Sequence, residues 1–142
     1  MRISVITLAV FAMALCSCKK EKTLSEEELL TSRDWIGISV TRQNGPGEPI
    51  NETLANAPDC LKDDIYVFRH DNLFLRLEGA SRCTVTKPDV VSSASWNLSV
   101  DKKTFTLGTG TNSIMKLTAD SLVYQVNGVA PEIRIIRYAR KD

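Results

Sequence analysis

The chain has 142 residues and a formal net charge of +1, and its composition is 43% hydrophobic, 25% charged and 6% aromatic. This length suits one domain, because two domains would each be too small to bury a core. The hydrophobic content and low net charge exclude a disordered chain, and the lack of a Gly-X-Y period excludes a fibrous one. The balanced charge provides no basic surface for nucleic acid, so we expect no such partner.

The N-terminus has the features of an export signal. Arg2 precedes about a dozen mostly apolar residues, fewer than the ~20 of a membrane-spanning helix, and small residues follow. Leu15-Cys16-Ser17-Cys18 resembles the lipobox of bacterial lipoproteins. The resemblance implies cleavage after Ser17 and an acylated Cys18 at the new N-terminus. Cys16 is the rival modification site, and an ordinary signal peptide with incidental cysteines is the alternative.

Residues 18–32 are predicted to form a lipidated tether and one short helix. The tether begins Lys19-Lys20-Glu21-Lys22, which is too weakly basic to predict more than a solvated spacer. Ser25 and Glu28 have the spacing of a capping box, so a helix should begin there and end near Ser32. An acylated chain of this kind would be anchored in the bacterial cell envelope, and we expect the outer membrane, with the protein facing the periplasm or the cell exterior.

From Asp34 onward the hydrophobic pattern changes to the alternation of β-strands. The gaps between most strands are too short for parallel crossovers, so neighbouring strands should pair as antiparallel hairpins. Because an open meander would leave exposed edges, closure is expected. Residues 33–142 are therefore predicted to be all-β, an eight-stranded antiparallel up-and-down barrel. The strands are predicted at about 35–42, 64–69, 72–78, 94–100, 103–107, 112–118, 121–127 and 132–139.

Two stretches interrupt the predicted strands. Residues 43–63 contain Gly and Pro clusters and are predicted to be mainly loop with one helical turn, and residues 79–93 are the second long loop. Long loops on a small barrel usually cover one end or carry function.

Cys60 and Cys83 are the cysteines that remain outside the signal and the proposed anchor. They flank the hairpin predicted at 64–78, and its register brings position 60 close to position 83. A disulfide is expected in an extracytoplasmic compartment. Two free thiols are the alternative, and half a metal site is a weaker one, because one histidine and two distant cysteines do not supply the four ligands of zinc.

Several stretches of the mature chain resemble the lipocalin-like domains of small Bacteroidetes lipoproteins. The Cys-x-x-Asp-Asp-x-aromatic-x-Phe pattern begins at Cys60, and Asn72 stands where the family usually has glycine. The resemblance implies a lipocalin-type barrel but no particular ligand. It also assigns Trp35 the role of closing the barrel base. The matching stretches are Leu29-Leu30, Trp35, Cys60 to Phe68, Asp71-Asn72, Cys83, Ser95 to Leu98, and Leu117 to Leu122.

The sequence offers little for catalysis or metal binding. His70 is the single histidine, it lies in a predicted turn beside Asp71, and no nucleophile-elbow motif is present. Four acids could suggest calcium but lack the spacing of a calcium loop: Asp59, Asp63, Asp64 and Asp71. We therefore expect no enzyme activity, no cofactor and no metal.

Residues two apart share one face of a strand, and this alternation predicts which side chains point into the barrel. The lumen of such a barrel either holds a small hydrophobic or amphipathic ligand or is filled by its own side chains. We expect the first case, in which the protein binds that ligand without catalysis. The alternative is a structural or protein-interaction module, including inhibitor types, with a filled barrel and a partner that the sequence does not name. The predicted lumen residues are Trp35, Tyr66, Phe68, Trp96, Leu98, Phe105, Met115, Leu117, Tyr124 and Val126.

Overall fold

The computed structural model describes residues 23–83, 89–127 and 130–141. The predicted signal, the lipidation site Cys18 and the lysines that follow it lie outside these residues. The helices and strands are α1 (Glu26–Thr31), β1 (Trp35–Gln43), β2 (Asn51–Glu52), α2 (Asp59–Lys62), β3 (Ile65–Phe68), β4 (Leu73–Leu77), β5 (Val90–Leu98), β6 (Thr104–Leu107), β7 (Gly110–Leu117), β8 (Ser121–Val126) and β9 (Ile133–Arg140).

The strands form a closed antiparallel barrel of eight strands, as the sequence predicts. The order β1-β3-β4-β5-β6-β7-β8-β9 follows the chain, and β9 pairs with β1 to close the barrel. The closing pairs run from Trp35 opposite Arg140 to Gln43 opposite Ile133. The short strand β2, which the sequence pattern does not reveal, pairs with β1 near its end, beyond the two residue pairs that join β1 to β3.

Helix α1 begins with the predicted capping box. The Ser25 hydroxyl accepts a hydrogen bond from the Glu28 amide, and the Glu28 carboxylate accepts one from the Ser25 amide. The helix buries Leu30 completely against the barrel. The indole Nε1 of Trp35 then donates a 3.0 Å hydrogen bond to the Leu30 carbonyl oxygen, so α1 is fixed across the end of the barrel where β1 begins. We call this the α1 end and the opposite one the upper end.

Strand β5 differs from its predicted range of 94–100. It begins at Val90, inside the segment predicted to be loop, and ends at Leu98. Val100 therefore lies in a turn and is 98% exposed, although alternation places it on the same face as Trp96. The turn forms because Ser99 binds three groups: its carbonyl accepts from the Lys102 amide, its hydroxyl accepts from the Thr104 amide, and the hydroxyl donates to Asp101. These local bonds end the strand before residue 100.

The prediction that Met115 points into the lumen is wrong, because its side chain is 56% exposed. The pairing of β7 with β8 shifts register between Ile114 and Lys116, which leaves Met115 as an unpaired extra residue. Such a bulge reverses the alternation of a strand beyond it. As a result Ile114 and Leu117, three residues apart, both pack against the core.

Cys60 and Cys83 form the predicted disulfide. Cys60 lies in α2, the one helical turn expected in the first long loop, and Cys83 lies in the loop after β4. The bond therefore joins the two ends of the β3–β4 hairpin.

Candidate functional site

Aromatic side chains fill the interior near the α1 end. The Phe68 ring is at the centre of this cluster, with its centroid 5.0 Å from that of Phe74, 5.4 Å from Trp96 and 5.9 Å from Phe105, each at a steep interplanar angle. Edge-to-face contacts at these distances are favourable packing. The interior at this level is therefore occupied by the protein's own side chains.

Most of the predicted lumen residues meet in this core. Trp35, Phe68, Trp96, Phe105 and Tyr124 are buried, whereas Tyr66, Leu98, Leu117 and Val126 are partly buried and pack against them. Sequence alternation did not single out four further buried residues: Leu30, Phe74, Leu122 and Tyr138.

Three tyrosines lie above the phenylalanine and tryptophan cluster. The ring centroids of Tyr66 and Tyr138 are 4.6 Å apart, and the hydroxyls of Tyr124 and Tyr138 are 3.3 Å apart. Burial raises the pKa of Tyr124 to about 12 and that of Tyr138 well above its usual value. Burial also raises the pKa of Tyr66, which is less enclosed. All three phenols are therefore neutral at physiological pH.

An ion pair lies beside Tyr66 on the inner side of the barrel, between Asp64, just before β3, and Arg76 on β4. Asp64 is 1% exposed, and both Nε and Nη2 of Arg76 donate to its Oδ2, with Nε at 2.6 Å. Burial is the largest single influence on Arg76 and lowers its pKa, but the hydrogen bond to Asp64 and the electrostatic attraction of Tyr66, Asp64 and Tyr138 together raise the pKa of the guanidinium above its usual value. Arg76 is opposite Tyr66 in the ladder and keeps part of its side chain exposed. The spacing of Asp64, Tyr66 and Phe68 could have placed this carboxylate inside the barrel.

A second charged group, which we call the rim cluster, consists of Arg42, Glu132 and Arg134 at the upper end. Arg134 donates to Oε1 of Glu132 through Nε at 2.9 Å and Nη2 at 2.8 Å. The Nε of Arg42 lies 3.7 Å from the same oxygen. The register places Arg42 directly opposite Arg134. One carboxylate oxygen thus faces two guanidinium groups.

Two clefts lie on the outside of the barrel. One of about 340 Å³ is lined by Ile36, Ile65, Gly79 and Ala80 with Lys62, Asp63 and Lys141. The other, of about 350 Å³, lies where α1 meets the β3–β4 turn and is lined by Thr31 and residues 67–71. Except for Phe68, none of the predicted lumen residues borders either cleft.

The outer surface is apolar on one side of the barrel and polar on the other. One row across β1, β3, β4 and β5 consists of the ladder partners Ile36, Ile65, Leu77 and Val90. These side chains point outward, because they alternate with inward residues along their strands. Around the β5–β6 and β6–β7 pairings the outward positions are instead polar, as at Asn97, Thr106 and Thr111. We call the apolar side the outer apolar face; its members are Ile36, Ile65, Val67, Leu73, Leu75, Leu77 and Val90.

The described part of the chain contains no group of three or more metal-binding side chains and no helix of sufficient length and hydrophobicity to cross a membrane. His70 is exposed in the turn after β3, where Asp71 pairs with Arg69 at 3.0 Å. Asp59 pairs with Lys62, and Asp63 accepts from the Ser81 amide, so two of the acids considered from the sequence bind local partners.

No protein-family model and no curated protein matches this chain. Its function therefore has to be inferred from the residues themselves.

Proposed function

We propose that this chain is a lipid-anchored protein of the bacterial cell envelope whose filled, lipocalin-like barrel is a scaffold for binding another protein. The observation that carries the proposal is the packed interior, in which Trp35, Phe68, Trp96 and Phe105 are each at most 1% exposed. A lumen filled in this way leaves the outside of the barrel as the working surface. The proposal involves no catalytic step.

The outer apolar face is the proposed binding surface. Monomeric proteins rarely expose contiguous apolar patches unless these contact a partner. Here Val90 is 44% exposed, and the larger residues beside it on β3 and β4 are only partly covered. The disulfide joins the ends of the hairpin that carries most of the face, so a partner would meet a surface that is already ordered.

The charges around the cleft next to Ile36 and Ile65 suggest the chemistry of the partner. Ile36 and Ile65 line it together with Lys62 and Lys141, and Asp63 is the single acid there. The amide of Ser81 already binds Asp63. A protein segment with apolar side chains next to an acidic group would complement this cleft.

Site-specific photo-crosslinking in cells tests the proposed surface. We expect a photoreactive residue at Leu75 to yield one discrete protein adduct, and one at Thr106, on the polar side, to yield none. Adding Lys141→Glu should weaken the Leu75 adduct while circular dichroism of the variant stays unchanged. Equal adducts from Leu75 and Thr106, or an adduct insensitive to Lys141→Glu, would contradict the proposal.

The lipid anchor rests on the lipobox resemblance at Leu15 to Cys18. Mass spectrometry of the native protein should detect an acylated peptide that begins at Cys18. Cys18→Ser should release the protein from membranes, whereas the matched Cys16→Ser should not. An unmodified N-terminus elsewhere would refute the anchor without touching the proposed surface.

Binding of an amphipathic molecule is the second candidate, and one feature favours it. Tyr66 and Arg76 are both incompletely buried toward the upper end, so a polar headgroup could meet them without displacing the packed aromatic core. Calorimetric titration with long-chain fatty acids tests this candidate. Tyr66→Ala should weaken binding at least ten-fold and Thr106→Ala should not. The absence of binding heat to the native protein at two well-separated temperatures rules the candidate out, because apolar burial changes the heat capacity.

A further inference from the structure

We infer that the rim cluster is a binding site for an oxyanion, a phosphate or a carboxylate group. The inference does not rest on the proposed protein-binding surface, because Arg42 lies on β1, Arg134 on β9 and Glu132 just before β9, away from the β3–β4 hairpin that carries most of the outer apolar face. The arrangement of charge in the rim cluster is unfavourable by itself.

Arg42 and Arg134 are direct partners in the β1–β9 ladder. Both lie on the inner face at the upper end, because the pair two positions along the ladder, on the same face, joins Val40 to Ile136, which packs against the core. Arg134 also pairs with Val126, which packs against the core as well. Like charges directly opposite one another in a sheet are destabilising. The two guanidinium groups therefore need shared negative charge.

Glu132 supplies only part of that charge. Both nitrogens that Arg134 offers bind Oε1, and Arg42 approaches the same oxygen no closer than 3.7 Å, which is too long for a hydrogen bond. Among residues 23–83, 89–127 and 130–141, Glu132 is the one acid within ion-pair distance of either arginine. The cluster thus holds two positive charges and one negative charge.

The exposure of the cluster leaves room for a ligand at the Arg42 side. The Arg42 side chain is 46% exposed, whereas those of Arg134 and Glu132 are each 26% exposed. A guanidinium presents donors in a planar fork that matches the oxygens of phosphate or carboxylate. An oxyanion between the two arginines would bind this fork on Arg42 and complete the neutralisation that Glu132 begins. The tyrosines and Phe68 fill the barrel below, so the site suits a headgroup-sized anion.

Thermal unfolding of the full chain in phosphate or in chloride at matched ionic strength tests the inference. A ligand that binds the folded state raises the midpoint temperature in proportion to ln(1 + [L]/Kd). We expect phosphate to raise the midpoint of the native protein, and Arg42→Gln or Arg134→Gln to weaken the apparent affinity at least ten-fold. Arg69→Gln is the matched control, because Arg69 is also ion-paired but lies in the turn at the α1 end; its response should equal that of the native protein.

A second readout separates binding from a purely structural role. In chloride alone, Arg42→Gln should leave the midpoint unchanged or raise it, because the substitution removes one of two opposed like charges. A lower midpoint in chloride, an equal phosphate response in Arg42→Gln, or no response in the native protein would each overturn the inference. Acetate tests whether a carboxylate binds, and hexyl phosphate identifies the source of a bound phosphate group. Tighter binding of hexyl phosphate than of inorganic phosphate assigns the headgroup of an amphiphile, and equal binding assigns a free anion.

Discussion

Asp64 and Arg76 form an ion pair inside the barrel wall, with the carboxylate fully enclosed and the guanidinium reaching toward the upper end. Only one carboxylate oxygen takes part: Oδ2 accepts from two arginine nitrogens, while Oδ1 has no partner among the described residues. The pair joins the start of the β3–β4 hairpin to its return strand, so its loss would affect both strands.

Asp64→Ala should lower the free energy of unfolding by about 3–5 kcal/mol, because Arg76 is then left partly buried without its partner. The double variant Asp64→Leu/Arg76→Met should recover most of that loss, since it removes both charges and keeps the volume. Urea denaturation of the two variants and the native protein measures the difference. A double variant as unstable as the single one would show that the charges themselves support the fold.

Truncation of two residues on the β7–β8 hairpin should change the free energy of unfolding by very different amounts. Leu122 is fully buried, so Leu122→Ala should cost about 2–5 kcal/mol through lost contacts and the cavity that remains. Met115 is exposed at the bulge, so Met115→Ala should stay within about 0.5 kcal/mol of the native protein. Chemical denaturation under identical conditions compares them. A loss above about 2 kcal/mol for Met115→Ala would show that this side chain packs inside the barrel.

Stability should fall steeply in alkaline solution. Tyr124, with a pKa of about 12 in the folded state, ionises near 10 in the unfolded chain, and the pKa of Tyr138 is raised further. The contribution of these phenols is therefore fully present below pH 10 and is lost as the pH rises from 10 through 12, by about 1.4 kcal/mol per pH unit for each tyrosine. Absorbance at 295 nm should show little tyrosinate in the folded protein at pH 10, and half-ionisation there would contradict the burial of these hydroxyls.

Replacing both Cys60 and Cys83 by serine should lower the free energy of unfolding by about 3 kcal/mol, because the bond closes a loop between residues separated by 23 positions. The far-ultraviolet circular dichroism should not change, since the barrel core does not include either residue. Labelling of both thiols in the oxidised native protein would instead show that no bond forms.

The local sequence pattern was sufficient to predict the barrel and many of its core residues. The alternation around Trp96 and Phe68 identifies inward residues correctly, and the capping box at Ser25 locates α1. These predictions succeed because each depends on neighbours within a few residues. The same reasoning fails at Met115 and Val100, where a bulge and a turn interrupt the alternation that it assumes.

Strand β4 shows a second limit of prediction from local pattern, which concerns the side of the strand that points into the barrel. Leu73, Leu75 and Leu77 form its more hydrophobic side, yet the structure turns Phe74 and Arg76 inward. Arg76 can lie inside only because Asp64 is positioned opposite it by the fold. Likewise the rim cluster joins Arg42 to residues some ninety positions later, and no local pattern reveals that the two will meet.

The closure of the sheet by its first and last strands also determines when the barrel can form. The hydroxyl of Thr41 bonds to the carbonyl of Ile135, 94 residues further along the chain. Contacts of such long sequence separation slow folding, because loop-closure entropy is lost before they form. Until β9 has been synthesised, β1 and β8 each keep an unpaired edge able to associate with other chains. A released chain that ends before Ile133 would therefore be prone to aggregation, whereas one that includes Arg140 could close the barrel.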